Sequence, residues 1–321
     1  MDTYPINIFN YSNQMILKIG DKGNKVKELQ DLLNITQDGD FGPKTERAVK
    51  EFQKNNGLIS DGVVGPATWG CLVNPDTDLM ESNVSNGFDI VDYYLPSDEY
   101  YEGPTNKEYL FLHHTAGWDN PYQTIDIWGR DRAGRIATEF VVGGRSIKGT
   151  RDKYDGEVLQ AFPSGGYAWH LGKNGSQYMH THSVGIELCN FGYLTKGGYK
   201  KSGTWVMKDP DKYYAYQGTE ADPAQVTELN EEFRGHKYWH RYSDLQLSET
   251  KELILHIANR DGIDVRDGLI SEVKKNGVKG FDFNEDAYYG KVKGMWTHTN
   301  TRKDKFDLSP QPELIDMLLS I

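Results

Sequence analysis

The chain has 321 residues, which suggests about two domains, and its hydrophobic fraction of 37% is enough for packed cores. Its formal net charge of −11, with no basic blocks, argues against a general nucleic-acid binder, and no apolar run approaches the roughly 18 residues that span a bilayer. The two cysteines, neither in a Cys-x-x-Cys pair, exclude a disulfide framework and a thiolate zinc cluster.

The first segment, residues 1–14, is predicted to be an N-terminal tail. It contains no basic stretch followed by a long apolar stretch, so we expect no secretory signal peptide. Two isolated cysteines also suit a protein that folds in a reducing compartment.

Residues 15–73 contain an internal repeat. The segment DGDFGPKTERAVKEF at 38–52 is echoed by DGVVGPATWGCL at 61–72. Asp-Gly and Gly-Pro pairs are turn signals, and proline suits the first turn of a helix. Apolar spacing predicts three helices, the third a short one at Trp69 and Leu72. The doubled D-G-x-x-G-P-x-T resembles the peptidoglycan-binding domain of cell-wall hydrolases, which implies a three-helix unit that binds peptidoglycan.

Residues 74–106 are predicted to be a linker, because they are polar and acidic and then rich in turn signals. From Lys107 onward, short apolar strands alternate with helical stretches. We predict strands in EYLFLHH, TEFVVGG and SVGIELCNF, and helices in DLQLSETKELILHIANRDG and PQPELIDMLLSI. His236, His240 and His256 are assigned to helical sequence. The pattern predicts an α/β domain over 107–321, with a central mixed β-sheet flanked by helices.

Titratable side chains occur in four separate segments of this domain. His113 and His114 end an apolar strand, and only one of them can face a given pocket because strand side chains alternate. Glu187 interrupts another apolar strand, where a carboxylate is costly unless it is paired, protonated or near a metal. The segments THTNTRKDKFDLSP and YAWHLG add His298, Lys305, Asp307 and His170. Imidazole and carboxylate ligands, a further carboxylate and a lysine are the parts of a zinc-dependent amide hydrolase.

Together these segments resemble the zinc-dependent N-acetylmuramoyl-L-alanine amidase family over roughly residues 107–321. That family shares its fold with peptidoglycan recognition proteins and phage T7-type lysozyme. The resemblance implies Glu187 as the general base and Lys305 as the catalytic lysine at the oxyanion. It also implies one Zn²⁺ per catalytic domain, held by His113, His298 and Asp307.

Two assignments near the site have alternatives. The sequence reads D-L-S-P where the family has D-P-G-P, and the loop from His298 to Asp307 is one residue shorter than the family pattern. Asp304 is therefore an alternative third ligand. His170 is predicted to contact the substrate or the oxyanion, with a packed histidine beside Trp169 as the alternative. His114 is expected to lie outside the ligand set.

The two resemblances together imply a peptidoglycan hydrolase that cuts the amide bond between N-acetylmuramic acid and L-alanine. It resembles phage endolysins, which accumulate in the host cytoplasm and reach the cell wall when the membrane is opened. An exported bacterial autolysin is the alternative setting. The alternative functions are a non-catalytic peptidoglycan recognition protein and a stem-peptide endopeptidase of the same fold. We expect a monomer whose partner is bacterial peptidoglycan.

Overall fold

The computed structural model describes residues 17–55, 62–65, 68, 69, 72, 89–103, 105–131, 134–172 and 175–321. Its contacts divide the chain into two compact units, Met1–Asn86 and Gly87–Ile321. The predicted N-terminal tail at 1–14 lies outside the described residues. Among the described residues, no helix has both the length and the apolar character that a bilayer crossing requires.

The first unit contains two helices with described bounds, α1 (Asn24–Leu32) and α2 (Pro43–Asn55). Thr68, Trp69 and Leu72 are also helical, and the remainder of the predicted third helix lies outside the described residues. The apolar faces meet in one small core, which includes Leu17, Val26, Leu29, Phe41, Val49, Val64, Trp69 and Leu72. The helical character predicted for this unit is confirmed.

Each copy of the internal repeat makes the same pair of glutamine hydrogen bonds. The side-chain oxygen of Gln30 accepts from the backbone N–H of Gly39 at 2.8 Å, and its amide nitrogen donates to the Thr45 hydroxyl at 3.0 Å. Gln53 repeats both bonds with the corresponding residues, Gly62 at 2.9 Å and Thr68 at 3.2 Å. Gly39 has a φ of 74°, a conformation that favours glycine, which explains the repeated Asp-Gly pair.

The second unit contains most of the secondary structure. Its strands are β1 (Val91–Asp92), β2 (Tyr109–His114), β3 (Phe140–Val142), β4 (Val158–Gln160), β5 (Ser183–Leu188), β6 (Tyr193–Lys196), β7 (Gly198–Lys201), β8 (Thr204–Met207), β9 (Tyr213–Ala215), β10 (Glu220–Ala221), β11 (Val226–Phe233), β12 (His236–His240) and β13 (Gly294–Thr297). Its α-helices are α3 (Pro121–Trp128), α4 (Gln177–Thr181), α5 (Asp244–Asp261), α6 (Leu269–Asn276), α7 (Glu285–Tyr288), α8 (His298–Thr301) and α9 (Pro312–Leu319).

The main sheet has the strand order β1–β4–β3–β5–β2–β13 in the described part of the chain. Neighbouring pairs β3–β5, β5–β2 and β2–β13 are parallel, whereas β3 and β4 are antiparallel. The predicted mixed sheet with flanking helices is therefore confirmed. The terminal helix and the long helix predicted at DLQLSETKELILHIANRDG correspond to α9 and α5.

The two faces of the main sheet carry different side chains. Leu110, Leu112 and Ile186 belong to the largest hydrophobic cluster, together with residues of α5, α6 and α9. Phe111 faces the other way and packs with Leu171, among others. Since side chains alternate along a strand, His113 lies on the face of Phe111, away from the large helices.

Part of the segment predicted as a linker is integrated into this unit. Val91–Asp92 pairs in parallel with β4 at one edge of the sheet. Leu95 and Tyr100 are buried in a cluster with Leu159. These apolar side chains fix residues 89–102 against the sheet, so the predicted range 74–106 is not a linker throughout.

A second, antiparallel sheet has the order β10–β9–β6–β12–β11, and β7 pairs with β8 in a separate two-stranded ribbon. The helical assignment of His236 and His240 is wrong, because both lie on β12. Trp239 on this strand is buried in the main core. Pairing with β6 and β11 gives the HKYWH segment its extended form, and local spacing did not reveal these partners.

Candidate functional site

Three parallel strands end side by side and bring three of the predicted site residues together. His113 on β2 is the register partner of Glu187 on β5. On the other side, Thr297 at the end of β13 pairs with Leu112. His298 follows Thr297 directly and therefore comes beside His113. The ends of parallel strands are where α/β proteins commonly bind ligands.

His113, His298 and Asp307 form one compact cluster. The Nδ1 atoms of the two histidines lie 3.2 Å apart. Asp307 Oδ2 lies 3.0 Å from Nδ1 of His298 and 3.3 Å from Nδ1 of His113. Asp307 reaches the cluster because its loop is tied to α8 by a bond from Thr299 N to Asp307 O at 3.2 Å. The three side chains predicted as ligands are therefore brought together.

This cluster has the donor set and the spacing of a zinc site. Two imidazole nitrogens and a carboxylate oxygen are ligands that zinc accepts, and they leave a fourth position for water. Two ligand atoms at about 2.0–2.1 Å from a metal, at a tetrahedral angle, lie about 3.3 Å apart. The three observed separations, 3.0 to 3.3 Å, are close to that value. The residues present thus fit a bound Zn²⁺.

The charge of Asp307 suits this role. Burial alone would raise the pKa of its carboxyl, but the charge of His298 and hydrogen bonds from His113 and His298 hold that pKa well below its usual range. Burial lowers the pKa of His113 to about 4, although Asp307 opposes the shift. At neutral pH the cluster therefore holds an ionised carboxylate and a neutral His113 imidazole, the forms that bind metals.

Glu187 and Lys305 border the cluster. Burial raises the pKa of the Glu187 carboxyl well above its usual range, the charge of Asp307 adds to this, and the Lys305 ammonium opposes it. Both side chains nevertheless remain partly accessible. A carboxyl group with a raised pKa holds a proton more readily than an ordinary one, which suits a residue that takes up a proton and returns it.

Asp304, the alternative third ligand, is placed elsewhere. It is largely exposed, and its two carboxylate oxygens accept from the Arg302 guanidinium at 3.0 and 2.5 Å. The ion pair with Arg302 holds Asp304 outside the cluster that contains Asp307.

His170 lies beside the cluster, in contact with His113. Its Nδ1 lies 3.0 Å from Nε2 of His113, and its Nε2 lies 2.7 Å from the Ser183 hydroxyl. Both ring nitrogens are engaged inside the protein while the residue stays partly exposed, so the contact with substrate or oxyanion stays a prediction. His114 points to the opposite face, as alternation predicts, with Nδ1 3.0 Å from the Tyr242 hydroxyl.

The sequence reasoning did not assign a role to Ser183. It stands four residues before Glu187 on β5, so alternation places it on the same face of the strand. That spacing is a signal that could have indicated Ser183.

Two family models match the chain. The model of the N-acetylmuramoyl-L-alanine amidase family matches residues 103–300, and that of a peptidoglycan binding domain matches residues 22–72. Together they cover most of both units, and the first match contains His113, Glu187 and His298.

Two sequence relatives match a smaller part of the chain. An uncharacterised protein of Kitasatospora aureofaciens is 44% identical over 68 residues, 19% of this chain and 58% of that protein. The zinc D-Ala-D-Ala carboxypeptidase of Streptomyces albus G is 39% identical over 70 residues, 19% of this chain and 28% of that protein. The chain thus spans less than two thirds of the length of either relative. The solved structure of PlyL is 10% identical, with a TM-score of 0.35, and the match covers 67% of this chain and 84% of PlyL.

Proposed function

Because the chain belongs to the N-acetylmuramoyl-L-alanine amidase family, we propose that its second unit is a zinc-dependent peptidoglycan amidase. Its substrate bond is the amide between N-acetylmuramic acid and L-alanine. One observation carries the proposal: three metal-binding atoms of His113, His298 and Asp307 lie within 3.0 to 3.3 Å of one another, on the sheet face that also bears Glu187.

The cluster residues and their neighbours have different roles in the proposed reaction. His113, His298 and Asp307 hold the zinc ion, which when bound makes water acidic and polarises a carbonyl oxygen. Glu187 accepts a proton from the water whose oxygen attacks the carbonyl carbon. Glu187 then returns that proton to the nitrogen of the leaving L-alanine as the carbon–nitrogen bond breaks. Lys305 stabilises the negative charge that develops on the carbonyl oxygen.

The first unit acts as a tether to the cell wall in this proposal. The matching family model, that of a peptidoglycan binding domain, supports this role. A second weak site on the same polymer raises the local concentration of substrate bonds around the catalytic unit without any new contact to them.

The setting we propose is that of a phage endolysin, held in the host cytoplasm until the membrane is opened. The order of a wall-binding module and an amidase module supports it. The test measures the protein in the medium of producing cells before and after their membrane is disrupted. A phage endolysin should appear only after disruption, and earlier appearance would favour an exported autolysin.

The activity is tested by digesting purified sacculi and analysing the products by mass spectrometry. An amidase releases stem peptides with a free L-alanine amino group. New amino groups within the stem peptide would identify an endopeptidase, and intact sacculi with bound protein would identify a recognition protein. Metal analysis of the purified protein should give one zinc ion per chain, and a metal-free active enzyme would contradict the proposed site.

A further inference from the structure

The second ring nitrogen of His113 is held by side chains that the proposed reaction does not use. Nε2 of His113 lies 3.0 Å from Nδ1 of His170, and Nε2 of His170 lies 2.7 Å from the hydroxyl of Ser183. These contacts form a hydrogen-bonded series, the His113–His170–Ser183 network, that leads from the metal cluster to the start of β5.

We propose that His170 and Ser183 are positioning residues that set the tautomer and ring orientation of His113 for metal binding. The inference rests on the proposed function, because it takes Nδ1 of His113 to be the zinc ligand. A ligating Nδ1 has no proton, so Nε2 carries it and donates to Nδ1 of His170. His170 must then carry its own proton on Nε2, which donates to the oxygen of Ser183. Outer partners of this kind orient metal-binding imidazoles and raise their basicity.

A neighbouring histidine, His180, has the same tautomer for a separate reason. The backbone N–H of His170 donates to Nδ1 of His180 at 3.3 Å. Nδ1 of His180 is therefore an acceptor, and its proton lies on Nε2, which donates to the carbonyl oxygen of Gly172 at 3.1 Å. One assignment, with the proton on Nε2 of all three rings, satisfies every bond in the network and in the loop that carries it.

The residue pattern of β5 makes room for this arrangement. Ser183, Gly185 and Glu187 alternate on one face of the strand. A side chain on Gly185 would place its Cβ 3.1 Å from Nδ1 of His170 and 2.7 Å from a methyl carbon of Thr138. In the S-V-G-I-E segment, Ser183 thus accepts a hydrogen bond from His170, Gly185 leaves space for the ring of His170, and Glu187 is the proposed base.

The other histidine ligand lacks this support. Nε2 of His298 is buried, and among the residues that the structure describes it has no hydrogen-bond partner. The network therefore acts on one of the two imidazoles. It should affect the affinity of the metal site more than the position of the base, since Glu187 is held by its own strand.

The test is the zinc dissociation constant of the full-length protein, measured by competition with a chromogenic chelator. His170→Leu removes the acceptor for His113 and should weaken zinc binding about 10- to 100-fold. Ser183→Ala should weaken it less, and His170→Gln, which can still accept and donate, should retain part of the wild-type affinity. His256→Gln, at an exposed position on α5, is the matched histidine control and should leave affinity unchanged.

A double variant separates positioning from general packing. If Ser183 acts only through His170, Ser183→Ala should cause no further loss of zinc affinity in a His170→Leu background. If the losses of zinc affinity caused by the two substitutions simply add, Ser183 does not act through His170, and the proposed network is wrong. A second readout is the tautomer of the metal-loaded wild type, observed as long-range ¹H–¹⁵N couplings. A proton on Nδ1 of His170 would contradict the assignment.

Failure of this inference is distinguishable from failure of the proposed function. If the wild type binds no zinc, the metal site itself is wrong. If the wild type binds zinc and folded His170→Leu binds it as tightly, only the positioning role is wrong. Circular dichroism establishes whether each variant folds, and His170→Gln and Ser183→Ala decide the question if His170→Leu does not fold.

Discussion

His113 and Glu187 are register partners on adjacent parallel strands, and their side chains share one face of the sheet. The pairing is made by backbone hydrogen bonds along the full length of both strands, so it does not depend on a metal or on a loop. Leu110 and Leu112 anchor β2 in the core from the opposite face. The sheet therefore fixes the distance between the proposed ligand and the proposed base before any substrate binds.

Glu187→Gln separates the base from the metal site. The amide has nearly the same shape but cannot accept the proton of the attacking water, so we expect turnover of sacculi to fall about 100- to 10,000-fold. Zinc content should stay at one ion per chain, because Glu187 is not in the ligand cluster. Both quantities are measured on the same preparation, by release of stem peptides and by metal analysis.

His298→Ala is the companion variant to Glu187→Gln. It removes a ligand, so zinc and activity should be lost together. Near-normal turnover in Glu187→Gln would rule out Glu187 as the general base, whatever the metal content.

Asp307→Ala and Asp304→Ala form a matched pair within one loop. Asp307 lies in the cluster, and its loss should weaken zinc binding by more than the roughly 10- to 100-fold expected for an outer partner. Asp304 only pairs with Arg302 at the surface, and exposed pairs contribute about 1 kcal/mol or less to stability. Chelator competition on both variants checks the assignment, and a reversed order of effects would make Asp304 the ligand.

The sequence could predict the part of the site that strand alternation and motif spacing control. An apolar run ending in two histidines predicts β2 and a choice between His113 and His114. The polar residue inside SVGIEL predicts that Glu187 faces a pocket. These signals are local, because residues two apart on a strand share a face whatever the fold around them.

The rest of the arrangement depends on contacts distant in sequence. His170 and His113 are 57 positions apart, and their ring contact follows from the path of a loop that no periodicity encodes. The antiparallel sheet that contains His236 and His240 likewise depends on pairing between separate segments, because β12 pairs with β6 and β11. Tertiary pairing outweighs local spacing in short mixed segments of this kind.

His240 should make the protein less stable in mild acid. Burial lowers its pKa to about 3, and the charge of His114 adds to the shift. An unfolded histidine titrates near 6.5, so below that pH the unfolded state binds a proton that the folded state does not. Stability is thus full above pH 6.5 and is lost as the pH falls. Between pH 7 and pH 5 the loss from this residue is about 2 kcal/mol.

His240→Asn provides the comparison for this effect. Nδ1 of His240 accepts from the backbone N–H of Phe191 at 3.2 Å, and the asparagine oxygen can take that place. Urea unfolding of both proteins at pH 7 and pH 5, with zinc removed, gives the change in the free energy of unfolding. The variant should lose about 2 kcal/mol less than the wild type over this interval. Equal losses would show that His240 is protonated in the folded state.

Gly185→Ala tests how tightly the ring of His170 is packed over β5. The added Cβ would lie 2.7 Å from Cγ2 of Thr138 and 3.1 Å from Nδ1 of His170, closer than side chains normally approach. Overpacking of this kind costs about 1–3 kcal/mol. We expect a lower free energy of unfolding and weaker zinc binding, since the displaced ring is the one that holds His113.

Thr138→Ser should partly reverse the effect of Gly185→Ala. It removes the methyl group that the new Cβ would meet first, and it keeps the hydroxyl that donates to Phe140 O at 2.9 Å. The double variant should therefore be more stable than Gly185→Ala alone, whereas Thr138→Ser in the wild-type background should be neutral or destabilising. A double-mutant cycle on the free energy of unfolding measures this coupling. Simple additivity would show that the methyl group of Thr138 does not limit the space at Gly185.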